Sequence, residues 1–477
     1  MTVSSAEAVE RAFRSGAIRD FLRLFTKPEY LFLAFGGLAS LILLILIPPL
    51  AGGNEPNNFQ PVAAVAAGHV LIEPASVPGG IVKLLDASNR QFPENTPPPY
   101  HYSMAKLRAL ASIPLSRESP ATLNPNAITV LNPISYIPQV VVYWTGLALD
   151  FSPLALFYLG RIAGALSGLL LTFLAIRRMP FHRYGMAALA LLPTIVFSRT
   201  TLDADQITHG IAFYFVANAF AAMVEPRKLS CRALTTLVVS GLLIAQSKSA
   251  YFVLLQLVLA IPVARYGSRL RWLFASALIA LPGTALNIAW MVALKHTYVA
   301  GLHYYTWAGH VYPDGQTAFI LQHPLAYLGV LVRTIFTTNL IPLTLLGFIG
   351  IFGPPVAMPV VFYAVLVAAL FCVLAGEGDA GSPSVPTAAK WLTASAFISG
   401  FVLLLTLIYI KWDSPGASVI QGFQGRYLFP LAAPALTCLP RSGSRAYLGL
   451  GVASWTAILA ATSLFGTVFV TWTTYWG

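Results

Sequence analysis

LFLAFGGLASLILLILIPPL, residues 31–50, is an uninterrupted apolar run of 20 residues, and after Ala51 comes GGNEPNNF, residues 52–59. A helix needs about 20 apolar residues to cross roughly 30 Å of hydrocarbon, so the run reads as a membrane crossing. Glu55 is then a carboxylate held where that crossing ends, a place where an ionisable group is costly and usually has a purpose. Arg11, Arg14, Arg19, Arg23 and Lys27 precede the run and no small-x-small cleavage site follows it. The pattern predicts a retained signal anchor, with residues 1–28 as a cytoplasmic N-terminal segment.

The rest of the chain repeats this character. Of 477 residues, 57% are hydrophobic and only 10% charged, with a mean hydropathy of +0.72. That excludes a soluble protein of this size. The apolar segments lack the period-2 alternation of outer-membrane strands, so the crossings are helices. The net charge of +12 comes from Lys and Arg set between apolar segments. Such charge signals topology and attracts lipid headgroups; it does not form a nucleic-acid-binding domain. Cys231, Cys372 and Cys438 show neither disulfide nor zinc spacing.

Residues 51–134 are rich in Pro, Asn, Gly and Ser and read as a small outer domain, with 29–477 as the transmembrane domain around it. Crossings are expected at 154–176, 184–200, 207–223, 234–245, 251–263 and 272–294. Residues 137–149 would lie along the outer surface or dip in partway. A second outer loop, 295–323, is followed by a stretch to 355 that fits surface helices or one more hairpin. Further crossings at 360–374, 391–410, 427–439 and 447–470 bring the expectation to about 11, or about 13 with the hairpin. No repeat between the halves points to an inverted-repeat transporter.

On this topology the unusual polar residues gather at the outer face. Glu55 fits a general base made basic by partial desolvation, or a helix-end carboxylate turned to water. Asp205, preceded by Asp203, fits a substrate-orienting carboxylate or metal ligand, or a cap on the next helix. Lys248 interrupts apolar sequence where it would either bind a phosphate or snorkel to headgroups. Arg426, in QGFQGRY (residues 421–427), offers a planar fork suited to phosphate, with a headgroup anchor as the alternative. His303 and Tyr304 open an aromatic loop that would stack on sugar rings or form an interfacial belt. No Walker loop, dinucleotide fingerprint, His-Glu-x-x-His or nucleophile elbow occurs.

Several of these stretches together resemble a family of bacterial multi-spanning membrane proteins, catalogued as a domain of unknown function and grouped with the GT-C glycosyltransferases. The family's Asp-Glu-Pro-x-His stands here as Asn54-Glu55-Pro56-Asn57-Asn58, and its Tyr-x-Pro-Gln as Tyr136-Ile137-Pro138-Gln139. Tyr158-Leu159-Gly160-Arg161, the Ser198 to Asp205 turn, Lys248 to Tyr251, and Gln424-Gly425-Arg426-Tyr427 follow in the family's order. The resemblance implies a GT-C-like bundle of about 11 to 13 helices and transfer of a sugar from a polyprenyl-phosphate donor to an envelope glycan or glycolipid at the outer face of the bacterial inner membrane. It places Glu55 as base. Asn54, Asn58, Tyr136, Gln139, Arg161, Asp203, Asp205, Lys248, Tyr251, His303, Tyr304, Gln424, Arg426 and Tyr427 would bind substrate. The resemblance fixes no cofactor, and a divalent cation on Asp205 with Asp203 beside it stays an alternative. Asn54 and Asn58 depart from the family's Asp and His, which keeps a non-catalytic assembly partner in view. A transporter or flippase for lipid-linked saccharide is the other reading. It would need polar residues along a path through the bilayer.

Overall fold

The computed structural model describes residues 26–71, 74–92, 98–124, 132–302, 311–350, 358–378, 385–439 and 444–477. The chain is a helical bundle carrying a small domain at one end. Helix α1 (Pro28–Leu46) leads into α2 (Glu55–Ala66), α3 (Gly79–Gln91) and α4 (Met104–Ala111). Strands β1 (Ala75–Pro78) and β2 (Pro120–Leu123) pair antiparallel, with Ala75 opposite Leu123 and Pro78 opposite Pro120. Phe59, Val62, Ile81, Leu84 and Leu123 form this small domain's core and meet Tyr136, Phe157 and Leu202 of the bundle. The domain is thus packed onto the membrane portion through shared apolar contacts.

Helix α5 (Ile137–Ala148) is followed by α6 (Pro153–Arg178). Then come α7 (Arg183–Ala190), α8 (Pro193–Thr200), α9 (Asp205–Val224) and α10 (Cys231–Ser247). A 3-10 helix (Tyr251–Ala260) separates α10 from the next long helix, α11 (Arg269–Ala293). The chain continues with α12 (Pro313–Gln322), α13 (Pro324–Thr337), α14 (Leu340–Ile349), α15 (Val360–Gly376), α16 (Thr387–Trp412), α17 (Phe429–Ala435) and α18 (Val452–Tyr475).

Helix α9 is the axis of the bundle. From Asp205 to Met223 every residue but Tyr214 is buried; beyond its polar first turns, from Gly210 onward, only Tyr214 and Asn218 break an apolar surface on all sides. It packs on α6, α8, α10 and α17. The α6 contact is close because Gly164 and Gly168 present no side chain: a Cβ on Gly168 would run into the Gln206 carbonyl, and one on Gly164 into the Gln206 side chain. Small residues four apart let two helix backbones approach in this way. The outer helices α1, α6 and α11 expose Leu38, Leu41, Ile45, Leu166, Leu170, Leu273, Phe274 and Leu281. That apolar perimeter suits lipid.

The number of crossings differs from the sequence expectation. Among the described residues six helices are long and apolar enough to span: α1, α6, α9, α11, α16 and α18. A seventh is reached if α12 and α13, bent by 107° at their junction, count as one. The bundle of about 11 to 13 helices, and with it the GT-C-like architecture, is not what the chain forms. Residues 184–200 are two short helices, and 251–263 hold a 3-10 helix of 10 residues. Residues 427–439 are divided among three short turns of helix. These apolar stretches supply the protein's own core: Met186, Leu191, Ile195, Leu254, Leu257 and Leu431 are all buried in one cluster. Hydropathy registers removal from water and is blind to whether lipid or protein does the covering.

Candidate functional site

The site is built on the break between α8 and α9. Residues 198–205 leave α8, turn and enter α9 while wholly buried, so the turn's backbone must find partners inside the protein. Glu55, the first residue of α2, supplies one: its Oε1 accepts from the Leu202 N–H at 2.7 Å, and its Oε2 from the Gly52 N–H at 2.9 Å. A carboxylate at a helix N-terminus is also favoured by the helix dipole.

Arg161 of α6 completes the arrangement. Its Nε and Nη2 donate to Oε1 and Oε2 of Glu55 at 2.6 and 2.5 Å, and Nη1 and Nη2 donate to the Ile47 and Pro48 carbonyls, both at 2.8 Å. Both side chains are fully buried. The Arg161 guanidinium also lies 4.7 Å from the centroid of the Phe157 ring. This bidentate pair ties the end of α1, the start of α2, the middle of α6 and the α8–α9 turn to one point. With two donors on each oxygen, Glu55 turns no free lone pair toward a substrate.

Around this pair the remaining motif residues form a polar scaffold. The Tyr136 hydroxyl donates to Asn58 Oδ1 at 2.6 Å, and Asn58 Nδ2 donates to the Asn54 carbonyl at 2.9 Å. Burial first, then the fields of Asp203 and Asp205, hold the Tyr136 hydroxyl well above the ordinary tyrosine pKa, so it is a proton donor to Asn58. Gln139 donates to Gln206 Oε1 at 2.9 Å, and Gln206 donates to the carbonyls of Arg161 and Arg199 at 3.0 and 3.1 Å.

The other half of the site lies immediately beyond Leu202. Asp203 Oδ1 accepts from the Asp205 N–H at 3.0 Å, an Asx turn that aims the second carboxylate. Lys248, just past the end of α10, pairs with Asp205 Oδ1. Arg426, from the 3-10 turn Gly425–Leu428, reaches Asp203 Oδ2 at 3.4 Å and lies 3.8 Å from Asp205 Oδ2. Lys248 and Arg426 both lie beside the Tyr427 ring, at 5.3 and 5.6 Å from its centroid. The Tyr251 hydroxyl donates to the Tyr427 carbonyl at 3.1 Å.

Two carboxylates thus face two cations, drawn from three separate parts of the sequence. Burial by itself would lower the pKa of Lys248, but Asp205 and Asp203 outweigh it and the net direction is upward. Arg426 is raised in the same way, Asp203 leading against burial. Both cations remain charged. Asp205 is 1% exposed, whereas the Lys248 and Arg426 side chains are 18% and 17% exposed, so the cations form the rim. Asp205 Oδ2 and Arg426 Nε face each other and neither has a hydrogen-bond partner. They attract each other as an ion pair at 3.8 Å but make no hydrogen bond, and a ligand reaching between them would supply one to each.

The sequence-selected residues therefore divide. Asp203, Asp205, Lys248, Tyr251, Arg426 and Tyr427 come together. Glu55, Arg161, Asn54, Asn58, Tyr136 and Gln139 form the scaffold beside them. Gln424 is exposed and takes part only through its carbonyl, which accepts from the Tyr427 N–H at 3.0 Å. His303 and Tyr304 lie outside the described residues. Asp314, from the same aromatic loop, pairs with Lys295 at 2.7 Å well out in solvent.

Two further groups were not singled out by sequence. His209, one turn after Asp205, is buried with its Nε2 unpartnered and its ring 5.5 Å from that of Phe429. The four-residue spacing from Asp205 is the signal that would have found it. Gln206 bridges the two halves, and nothing in its local sequence announces that. Among the described residues no three His, Cys, Asp or Glu side chains gather as a metal-binding set.

These features define a class: an all-α, multi-span membrane protein with a buried ion-pair scaffold and a four-charge cluster at one end of its bundle. The chain belongs to the family described as Predicted membrane protein (DUF2142), which covers residues 38–435. No curated protein and no solved structure matches it. Membership in the GT-C superfamily, the other half of the resemblance noted from sequence, does not hold. The family description carries no such membership, and among the described residues six helices, or seven with the bent pair, are long and apolar enough to cross, in place of that bundle.

Proposed function

We propose that the protein is a membrane glycosyltransferase, moving a sugar from a polyprenyl-phosphate-linked donor to an envelope glycan or glycolipid acceptor at the outer face of the bacterial inner membrane. The observation that carries this reading is the cluster of Asp203, Asp205, Lys248 and Arg426, with Asp205 Oδ2 and Arg426 Nε at its centre, an ion pair at 3.8 Å with no hydrogen bond on either atom. Two partly exposed cations suit the phosphate of a lipid carrier. Two carboxylates behind them suit sugar hydroxyls and an acceptor proton.

In this reading the donor phosphate draws Lys248 and Arg426 away from Asp203 and Asp205, which leaves carboxylate oxygens free to take a proton. The acceptor oxygen attacks the anomeric carbon, its proton passes to Asp203, and the bond from the anomeric carbon to the phosphate oxygen breaks. Polyprenyl phosphate leaves with the electron pair, and the two cations stabilise its growing charge. The anomeric centre inverts. Glu55 and Arg161 act as positioning residues that fix the turn carrying Asp203 and Asp205.

The test is turnover by the purified protein, supplied with radiolabelled polyprenyl-phosphate sugar and lipid-linked or glycan acceptors. Asp203→Asn is expected to lower turnover by about 10²- to 10⁴-fold, the span typical of a removed general base. Undiminished turnover in an Asp203→Asn, Asp205→Asn double variant would end the proposal. Movement of labelled lipid across vesicles without transfer would replace it with a carrier.

A further inference from the structure

A separate feature lies toward the opposite end of the bundle. There α9 is recessed between α6 and α10, leaving a groove of about 420 Å³ lined by Leu171, Ile211, Tyr214, Arg232, Val239 and Leu243, with Thr236 and Ser240 along the α10 wall. The volume falls within the range of about 300–1,000 Å³ usual for ligand pockets. The two hydroxyls are spoken for by their own helix: Thr236 donates to the Arg232 carbonyl at 2.9 Å and Ser240 to the Thr236 carbonyl at 2.6 Å. The third hydroxyl of that wall, Thr235, is exposed beside them. Val239 is 50% exposed, so the groove opens sideways, toward what would be lipid.

Its length and its charged end identify an occupant. From Arg232 to Leu243 the α10 wall runs about 16 Å at 1.5 Å per residue, close to the ~15 Å depth of one leaflet's hydrocarbon. Arg232 is exposed, and no carboxylate among the described residues pairs with it. It also sits at the basic end of the bundle. There Glu225 is already shared by Arg178 at 2.5 Å and Arg265 at 3.5 Å, and the Leu229 N–H donates to the Arg265 carbonyl at 2.8 Å.

We propose that this groove is a binding site for an anionic phospholipid, one acyl chain lying between α6 and α10 over Ile211 and Tyr214 and the phosphate resting on Arg232. The site is independent of the sugar-transfer reading, whose cluster lies beyond the other end of α10. The lipid would fill the recess that holds α10 away from α6 and so stabilise the seat of the central helix.

The experiment uses the full chain purified in mild detergent and offered phosphatidylglycerol or phosphatidylcholine of the same acyl chains, with bound lipid counted by native mass spectrometry. Phosphatidylglycerol is expected to be retained in preference, and Arg232→Ala to weaken its retention about five-fold, the contribution of one basic side chain at an anionic lipid. Val239→Trp, which fills the groove, is expected to abolish retention, while Lys390→Ala, an exposed lysine elsewhere, leaves it unchanged. If Val239→Trp does not fold, salt decides: high salt should lower phosphatidylglycerol retention in the unaltered protein but not in Arg232→Ala. Equal retention of the two lipids, or unaltered retention in Arg232→Ala, overturns the proposal.

Discussion

Replacing Glu55 by Gln keeps the shape of the side chain and removes its charge, which separates the two roles this residue has been given. The carboxylate accepts four hydrogen bonds, from Arg161 Nε and Nη2, Leu202 N and Gly52 N, and both charged side chains are fully buried. A Gln carbonyl can still accept from Leu202, but its amide then points N–H groups at the Arg161 guanidinium or the Gly52 N–H. Arg161 is left as a buried cation without a counter-charge. Breaking a buried pair from one side costs about 3–5 kcal/mol. A double variant, Glu55→Gln with Arg161→Met, removes the stranded charge as well and should recover much of that loss. The measurement is reversible unfolding in mixed detergent micelles for the unaltered protein, each single variant and the double variant, closing a thermodynamic cycle. Turnover is followed on the same samples at temperatures where all remain folded. A Glu55→Gln protein as stable as the unaltered one to within ~0.5 kcal/mol would refute the ion-pair scaffold, since surface-like changes fall in that band. Normal stability with abolished turnover would go further and make Glu55 the base.

Gly168→Val would drive a side chain into the Gln206 carbonyl and should cost at least the ~1–3 kcal/mol typical of overpacking; Gly37→Val, at a position with nothing within 4 Å, should unfold like the parent in the same assay. Arg426→Lys keeps the positive charge but loses the planar fork, so the KM for donor should rise while Lys248→Met lowers kcat and kcat/KM together. Asp413, beside Gln421 at 3.3 Å, has its pKa raised by burial from 3.8 to about 6. Its folded form holds the proton more tightly, so its contribution to stability is complete below pH 3.8 and lost as pH rises through about 6. Asp413→Asn should flatten the stability profile between those values, as read from melting temperature against pH.

Part of the site was legible because charge is rare in an apolar chain. Asp203, Asp205, Lys248 and Arg426 stand out from their surroundings, and the structure brings them within ion-pair distance. Glu55 stood out for the same reason, yet its local sequence could not say what it faces. Its partner Arg161 lies 106 residues away, inside a segment that reads only as a crossing. His209 and Gln206 were hidden because α9, with its polar residues included, still has a mean hydropathy of 1.5 and reads only as a crossing.

The sequence by itself determined that this is a multi-span helical membrane protein and that a Pro-, Asn- and Gly-rich stretch follows its first apolar run. Both follow from apolar run length and from where Pro, Asn and Gly interrupt it. Only the tertiary structure decided that six helices among the described residues, or seven with the bent pair, are long and apolar enough to cross, that short apolar segments pack around α9 inside the protein, and that Glu55 braces the turn holding Asp203 and Asp205. Transfer from water is favourable whether lipid or protein receives the side chain, so composition fixes the solvent class and not the neighbour. Neighbours are set by contacts between residues far apart in the chain, such as the meeting of Gly168 with Gln206 and of Arg161 with Glu55.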